Sequence, residues 1–375
     1  MKSKSKIKNL GLLKIQKCMN KIINVIPSKS DSLVFIIDQF LKNYKNDYKV
    51  NNLLNDLYNI LDSTIILDNK NNFMKKKIKY NNENYIKMLK KINEGNYGEI
   101  NSCKINNENV IVKSPKFNEK NRDEVLISFM KENLIHIILF CLQDQMNKCF
   151  KIAIVNKCIP EVIDLIKATD ENNKKEKLIV IMEKLDYDGW AFFEKKNTYK
   201  DELTFIALVA YNLYFLQNSV KKFIHRDLHC GNIMVKKSKE MNKTNIKLKD
   251  GLSFSVDSNY MTYLIDFGMS CFDLASCLKI INMPVSRISS PGVYETDYCD
   301  NKGHDLRLFL SSIYFEMWNS ISISNELKEF LSRLFEKKYS KVEHWHGMYY
   351  DVLKMKDVDF YPENILVKIK KELKK

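Results

Sequence analysis

Residues 223–235 read Phe-Ile-His-Arg-Asp-Leu-His-Cys-Gly-Asn-Ile-Met-Val, with His225, Arg226 and Asp227 in a row and Asn232 five positions beyond the aspartate. A carboxylate at such a place can accept a proton from a hydroxyl, and an amide oxygen just downstream can hold a metal ion. The apolar residues Ile233, Met234 and Val235 then anchor the loop as a strand. These groups suit phosphoryl transfer, which depends on positioning a hydroxyl and neutralising phosphate charge rather than on covalent chemistry. A second carboxylate closes another apolar run, Leu264-Ile265-Asp266-Phe267-Gly268. It can bridge Mg²⁺ to phosphate oxygens, and the glycine after it lets the backbone turn sharply. Alone, that tripeptide is also an ordinary exit from a strand into a turn.

Upstream, residues 91–100 place Gly95 and Gly98 around Tyr97 between two strand-like runs. Glycines let the backbone approach phosphates and lend N–H groups to them, although the same spacing also makes a hairpin turn. The next run, Val110-Ile111-Val112, ends in Lys113. A lysine at the end of a buried strand needs a negative partner, because desolvation otherwise disfavours its charge. Phosphate oxygens and a helix glutamate both qualify.

The elements that must carry these groups change character along the chain. Residues 1–80 read as a helical extension: Leu12, Ile15, Met19, Ile22 and Ile23 recur at helical spacing up to Pro27, and two more helices are expected near 31–41 and 52–61. From about residue 85 the pattern turns to short strands, at 85–92, 99–105 and 109–113. A helix follows over 122–142, then a buried strand at 178–182. After Trp190 the chain is mainly helical, with Leu203, Ile206, Ala210, Leu213 and Leu216 on one face. Strands first and helices later describe an α+β protein with a small sheet lobe and a larger helical lobe.

Taken in order, the four motifs resemble the signature set of eukaryotic-type protein kinases over roughly residues 85–320. The resemblance implies a bilobal protein-kinase-like fold, with a β-rich N-lobe and hinge over 81–186 and a helical C-lobe over 187–375. It implies ATP and Mg²⁺ as cofactors and a protein, the chain itself included, as acceptor. Gly95, Tyr97 and Gly98 would cover the phosphates, and Ile92, Ile100 and Ile111 would surround the adenine. Met182 would sit behind the base, with backbone groups near Glu183 and Leu185 hydrogen-bonded to it. Lys113 would contact the α- and β-phosphates and pair with Glu132 on the following helix; Glu124 is the alternative. Asp227 would be the catalytic base, preceded by Arg226, with Asn232 and Asp266 as Mg²⁺ ligands. Asp305, at the start of a later helix, would hold the catalytic-loop backbone, its plain alternative being a cap on its own helix. Arg226 also suggests control by phosphorylation at Ser286, Ser289 or Ser290.

The sequence departs from the family pattern at several places. Asn93 replaces the first loop glycine, and Ile111 stands where a small residue is usual. His229 occupies the position of the serine/threonine-kinase lysine, while Gly231 stands where tyrosine kinases carry arginine. Only residues 291–295 approximate the motif that closes the activation segment. Asn232 and Asp266 lie 34 residues apart, roughly 20 more than usual for the family. The excess holds alternating apolar residues around Asp250-Gly251, which predicts an inserted hairpin at about 236–260. Asp-Leu-His-x-Gly-Asn together with such a hairpin resembles haspin-like kinases and serine/threonine kinases of large DNA viruses. Serine or threonine hydroxyls are the expected acceptors, the tyrosine-kinase pattern being absent, and a viral relationship would imply a host-cytoplasmic or virion location.

Two other classes stay open: a small-molecule phosphotransferase of the aminoglycoside or choline kinase type, and a pseudokinase scaffold. Composition narrows the field less. The 375 residues carry a formal net charge of +15, and 45% of them are hydrophobic, as in a globular protein. The basic excess indicates nucleic acid no more than any acidic partner, and it is equally a solvated lysine-rich surface. Nine scattered cysteines, none in a Cys-x-x-Cys pair, point to a reducing compartment rather than to zinc or a disulfide framework. The basic start has its apolar run broken at Lys14, short for a signal peptide, and no stretch is long enough for a membrane span. A soluble intracellular protein is expected.

Overall fold

The computed structural model describes residues 63–67, 77–79, 85–94, 98–105, 108–116, 157–170, 176–219, 221–273, 280–282, 301–316, 322–335 and 358–375. It also describes Val125, Phe129, Glu132, Asn133, Ile135, His136, Leu139, Phe140 and Gln143. The chain divides into two compact units, one built from Met1–Gln145, Pro160–Lys184 and Ser276–Lys279, the other from Met146–Ile159, Leu185–Ala275 and Ile280–Lys375.

The first unit is a closed sheet of seven strands. β1 (Ser63–Leu67), β2 (Lys77–Lys79), β3 (Tyr85–Glu94), β4 (Gly98–Ile105), β5 (Glu108–Pro115), β6 (Val162–Asp170) and β7 (Glu176–Glu183) follow the spatial order 1-2-3-4-5-7-6. Parallel pairing of β1 with β6 completes the ring, so neither is left as an open edge. Strands at 63–67 and 77–79 correct the expectation of helix over all of residues 1–80. Ser-Thr-Ile-Ile-Leu is rich in β-branched residues, and its main partner is about a hundred positions downstream. The helices expected before residue 62 lie outside the described residues.

Alternation makes β5 a wall of the core: Val110 and Val112 are buried and Lys113 half-buried. The helical residues that follow bury Val125, Phe129, Ile135 and Leu139. Two polar groups among them are satisfied within the unit. Asn133 Nδ2 donates to the Phe129 carbonyl at 2.6 Å, and His136 Nε2 lies 2.9 Å from the Pro160 carbonyl.

The second unit is assembled on one long helix. α1 (Gly189–Phe193) and α2 (Tyr199–Ser219) are followed by β9 (Lys221–Ile224), then by β10 (Ile233–Lys247) and β11 (Ser253–Leu264). β8 (Tyr187–Asp188) adds to the free side of β10 at Met234 and Val235. β12 (Cys271–Asp273) and β13 (Ile280–Asn282) pair beside β9. α3 (His304–Glu316), α4 (Asn325–Phe335) and α5 (Pro362–Glu372) complete the unit.

α2 is almost wholly buried. One end meets an aromatic cluster in which Phe192 stacks on Phe205 at 4.2 Å and Tyr260 meets Phe192 edge-on at 5.4 Å. Toward its other end, Asn212 Nδ2 donates to the Thr262 carbonyl at 2.8 Å, which fixes β11 along the helix. At the start of α2, Glu202 is fully buried. It accepts the Ser324 N–H at 2.9 Å and the Ser324 hydroxyl, tying the α4 N-terminus down. Burial pushes the Glu202 carboxyl up, against the pull of those two donors. No described helix is long and apolar enough to cross a membrane.

The expected hairpin is present but longer than 236–260. β10 and β11 pair from Ile233↔Leu264 at the base to Lys247↔Ser253 at the tip, with one bulge between Lys237 and Asn242. It therefore extends the two strands that flank the motifs instead of being a separate insert. Gly251 takes the left-handed conformation (φ 89°) that the Asp-Gly turn requires. Ile246, Leu248, Val256 and Tyr260 face inward, whereas Lys237, Lys239, Lys243, Lys247 and Lys249 face water.

Candidate active site

In the sheet unit, β5 delivers Lys113 between Ile100 on β4 and Val180 on β7. Its Nζ donates to Glu132 Oε1 at 2.5 Å, each side chain being 17% exposed. The same ammonium lies 5.9 Å from the Phe129 ring centroid, a second favourable contact for a poorly solvated cation. Ile111 pairs with Met182 across β5 and β7, and both are half-buried, as is Ile100. Ile92 sits at a register shift in β3 and is 50% exposed. The Glu183 N–H donates to the Glu161 carbonyl at 3.0 Å, so that donor is committed within the sheet unit. A Cβ at Gly98 would come 2.9 Å from the Ser114 carbonyl oxygen, so the sheet itself demands glycine there. Gly95, Tyr97 and Glu124 lie outside the described residues, as do Ser286, Ser289, Ser290 and residues 291–295.

In the helical unit, the loop between β9 and β10 carries His225 to Asn232. Arg226 (φ 72°) and Asp266 (φ 64°) are the only non-glycine residues with positive φ among the described residues. Such a conformation costs about 1–3 kcal/mol and persists only where surrounding bonds enforce it. For Arg226 those bonds come from Asp305 on α3. The His225 N–H donates to Asp305 Oδ2 and the Arg226 N–H to Oδ1, both at 2.8 Å. His304, the residue before, closes the same knot. Arg307 Nη2 donates to its Nδ1 at 3.1 Å, so the ring proton sits on Nε2, 3.3 Å from the Arg226 carbonyl.

His225 links the two motifs, its Nε2 donating to the Ile265 carbonyl at 2.8 Å while its ring lies 5.2 Å from Phe267. Burial sets the protonation of this cluster. It holds His225 down at about 4 and His304 at about 3, the latter helped by the Arg307 charge. It also pushes Asp305 up to about 7, against the pull of the two backbone N–H donors and of Arg226 and Arg307.

Asp227 is half-buried, and Asn232 is turned onto it: Nδ2 donates to the Asp227 carbonyl at 2.8 Å and to Oδ2 at 3.2 Å. With its nitrogen so engaged, Asn232 keeps its amide oxygen as the atom that could hold a metal ion. The Ile265 N–H donates to the Asn232 carbonyl at 3.1 Å, one residue from the exposed Asp266. The paired Ile233 and Leu264 at the base of the ribbon thus set Asn232 and Asp266 close together despite their separation in sequence. An amide oxygen and a carboxylate are hard oxygen donors, a set that fits Mg²⁺.

Three participants escaped sequence reasoning. His304 was hidden because its partner lies 78 positions earlier. Trp190 stacks against His229 with ring centroids 6.4 Å apart. Ser312, on α3, accepts the Cys230 N–H at 3.2 Å. The Asp-Gly-Trp triplet at 188–190 was the one visible signal, since Asp188 caps α1 and Gly189 leaves no room for a Cβ, which would lie 2.7 Å from the Cys230 carbonyl oxygen.

No curated protein matches the chain. The family model described as protein tyrosine and serine/threonine kinase matches residues 86–268, from the second residue of β3 through the glycine after Asp266-Phe267. That segment, which holds Lys113, Glu132, Asp227, Asn232 and Asp266, is similar to a protein kinase domain.

Proposed function

We propose that the chain transfers the γ-phosphate of ATP to serine or threonine hydroxyls of proteins. The observation that carries this reading is the Asn232 amide held on Asp227 by two hydrogen bonds, one residue before the strand whose partner leads to Asp266. In it, Asp227 orients the acceptor hydroxyl and takes its proton, while Asn232 Oδ1 and the Asp266 carboxylate hold Mg²⁺. The metal supplies neutralisation of phosphate charge when bound. Lys113, fixed by Glu132, binds the α- and β-phosphates, and the adenine lies against Ile92, Ile100, Ile111 and Met182, with backbone groups near Glu183 and Leu185 other than the engaged Glu183 N–H as partners. Gly95, Tyr97 and Gly98 cover the phosphates. The Asp-Leu-His-x-Gly-Asn loop and the long ribbon support a haspin-like or large-DNA-virus relationship, and with it serine/threonine acceptors.

The same loop also favours a second reading, a small-molecule phosphotransferase, in which that motif is frequent. The test is transfer of labelled γ-phosphate to the protein itself, to a basic and an acidic test protein, and to small hydroxyl compounds, with Asp227→Asn alongside. Protein label on serine or threonine that vanishes in the variant is the expected result. Label on small hydroxyl compounds alone would favour the second reading. Metal-dependent ATP binding without turnover would favour a scaffold.

A further inference from the structure

The residue two beyond Asp227 is the clearest departure from the kinase pattern, and its geometry suggests a task of its own. His229 is the N-cap of the three-residue 3-10 turn Cys230–Asn232, with extended backbone (φ −116°, ψ 174°). Its Nδ1 accepts the Gly231 N–H at 3.0 Å, and its carbonyl accepts the Asn232 N–H at 2.9 Å. Both hydrogen bonds belong to the turn that ends in Asn232, so the imidazole and the backbone of one residue hold it from both sides.

The imidazole has little freedom to do otherwise. A Cβ at Gly231 would lie 2.8 Å from His229 Cε1 and 3.1 Å from Trp190 Nε1. The ring sits close against that backbone, with the Trp190 indole stacked nearby, centroids 6.4 Å apart and planes inclined by 27°. A lysine at 229 has three donors and no acceptor, and could not receive the Gly231 N–H. Short side chains with an acceptor oxygen are the usual occupants of such a cap.

We propose that His229 is a positioning residue for the divalent cation: its acceptor nitrogen fixes the Cys230–Asn232 turn and so directs the Asn232 amide oxygen. The inference rests on the reading of Asn232 as a metal ligand. Affinity for the cation then depends on a hydrogen-bond acceptor at 229 and not on positive charge there. Partners one shell out from a metal typically change its affinity about 10–100-fold when removed.

The test measures Mn²⁺ binding by electron paramagnetic resonance on the full chain with a non-hydrolysable ATP analogue, for wild type, His229→Asn, His229→Lys and His229→Leu. The expected result is Mn²⁺ affinity weakened about 10-fold or more in the lysine and leucine variants, with Asn rescuing it to within about 3-fold of wild type. Binding of the metal-free analogue stays unchanged across the series, which a general loss of structure would not allow. Lysine binding Mn²⁺ as tightly as wild type, or Asn as poorly as leucine, overturns the proposal. Should the leucine variant fail to fold, the contrast between lysine and asparagine decides alone. Wild type that binds the analogue but no Mn²⁺ removes the metal-ligand reading itself, a different failure from four proteins that bind the ion equally.

Discussion

Acidification provides a severe test of the knot around Asp305, because three buried groups there titrate in one window with opposing signs. The folded values are about 4 for His225, about 3 for His304 and about 7 for Asp305. A histidine depressed by folding contributes stability that is whole above its unfolded value near 6.5 and is lost as pH falls toward the folded one. A carboxylate raised by folding does the reverse, losing stability as pH climbs from its unfolded value through the folded one. Between about pH 4 and 6.5 the unfolded chain carries two protons on these histidines and none on the aspartate, whereas the folded chain carries one, on Asp305. The net excess of one proton in the unfolded state makes stability rise with pH by about 1.4 kcal/mol per unit, roughly 3 kcal/mol across the window. Set against a total on the order of 5–15 kcal/mol, that is a visible fraction.

Variants separate the contributions. His304→Gln cancels the excess, so this cluster adds almost no slope. Asp305→Asn doubles it to about 2.8 kcal/mol per unit. The assay is urea unfolding of the three proteins at several pH values between about 4.5 and 6.5, read as differences from wild type so that other groups subtract out. Parallel loss of stability in wild type and His304→Gln would refute the reasoning, as would a shallower slope in Asp305→Asn. The neighbouring charges at Arg226, Arg307 and Asp266 are the same in all three proteins.

Other expectations are simpler. Glu132→Gln should weaken ATP binding and destabilise the sheet unit by about 2–3 kcal/mol, less than a wholly buried pair because each partner is 17% exposed; nucleotide titration and urea midpoints check both. Gly189→Ala forces a methyl to within 2.7 Å of the Cys230 carbonyl oxygen and should cost about 1–3 kcal/mol, read as a lowered thermal midpoint. Ile246→Ala, at a fully buried position on the inner face of the ribbon, should cost about 2–4 kcal/mol while leaving turnover per folded molecule unchanged, which activity normalised to folded fraction will show.

Much of this architecture was legible because its signals are local. Alternating apolar residues punctuated by Gly and Asn mark β3, β4 and β5 within a residue or two, and Asp250-Gly251 announces the ribbon turn. Lys113 and Glu132 could be named together because a strand end and the next helix leave few glutamates to choose from. What stayed hidden depends on partners distant in sequence. β1 reads as a short stretch inside a helical region until its parallel neighbour β6 is known. The role of His304 exists only through the Arg226 carbonyl, and the stacking contact of His229 only through Trp190. The ribbon was placed correctly but underestimated, since its base coincides with the strands of the motifs and carries no boundary of its own.

That base has a consequence for how the chain can change. Because Ile233 and Leu264 are direct partners, everything between them leaves and returns at nearly one point, the roughly 5 Å of a paired antiparallel position. The distal ribbon is thereby insulated from Asn232 and Asp266 on either side of it, and its length is a free variable as far as those two residues are concerned. The Asp250-Gly251 tip, exposed and with nothing near its glycine, is a natural splice point. Sequence can be lengthened, shortened or replaced by a whole folded module there without renegotiating the geometry at the base, so new attachments can evolve or be engineered at that tip.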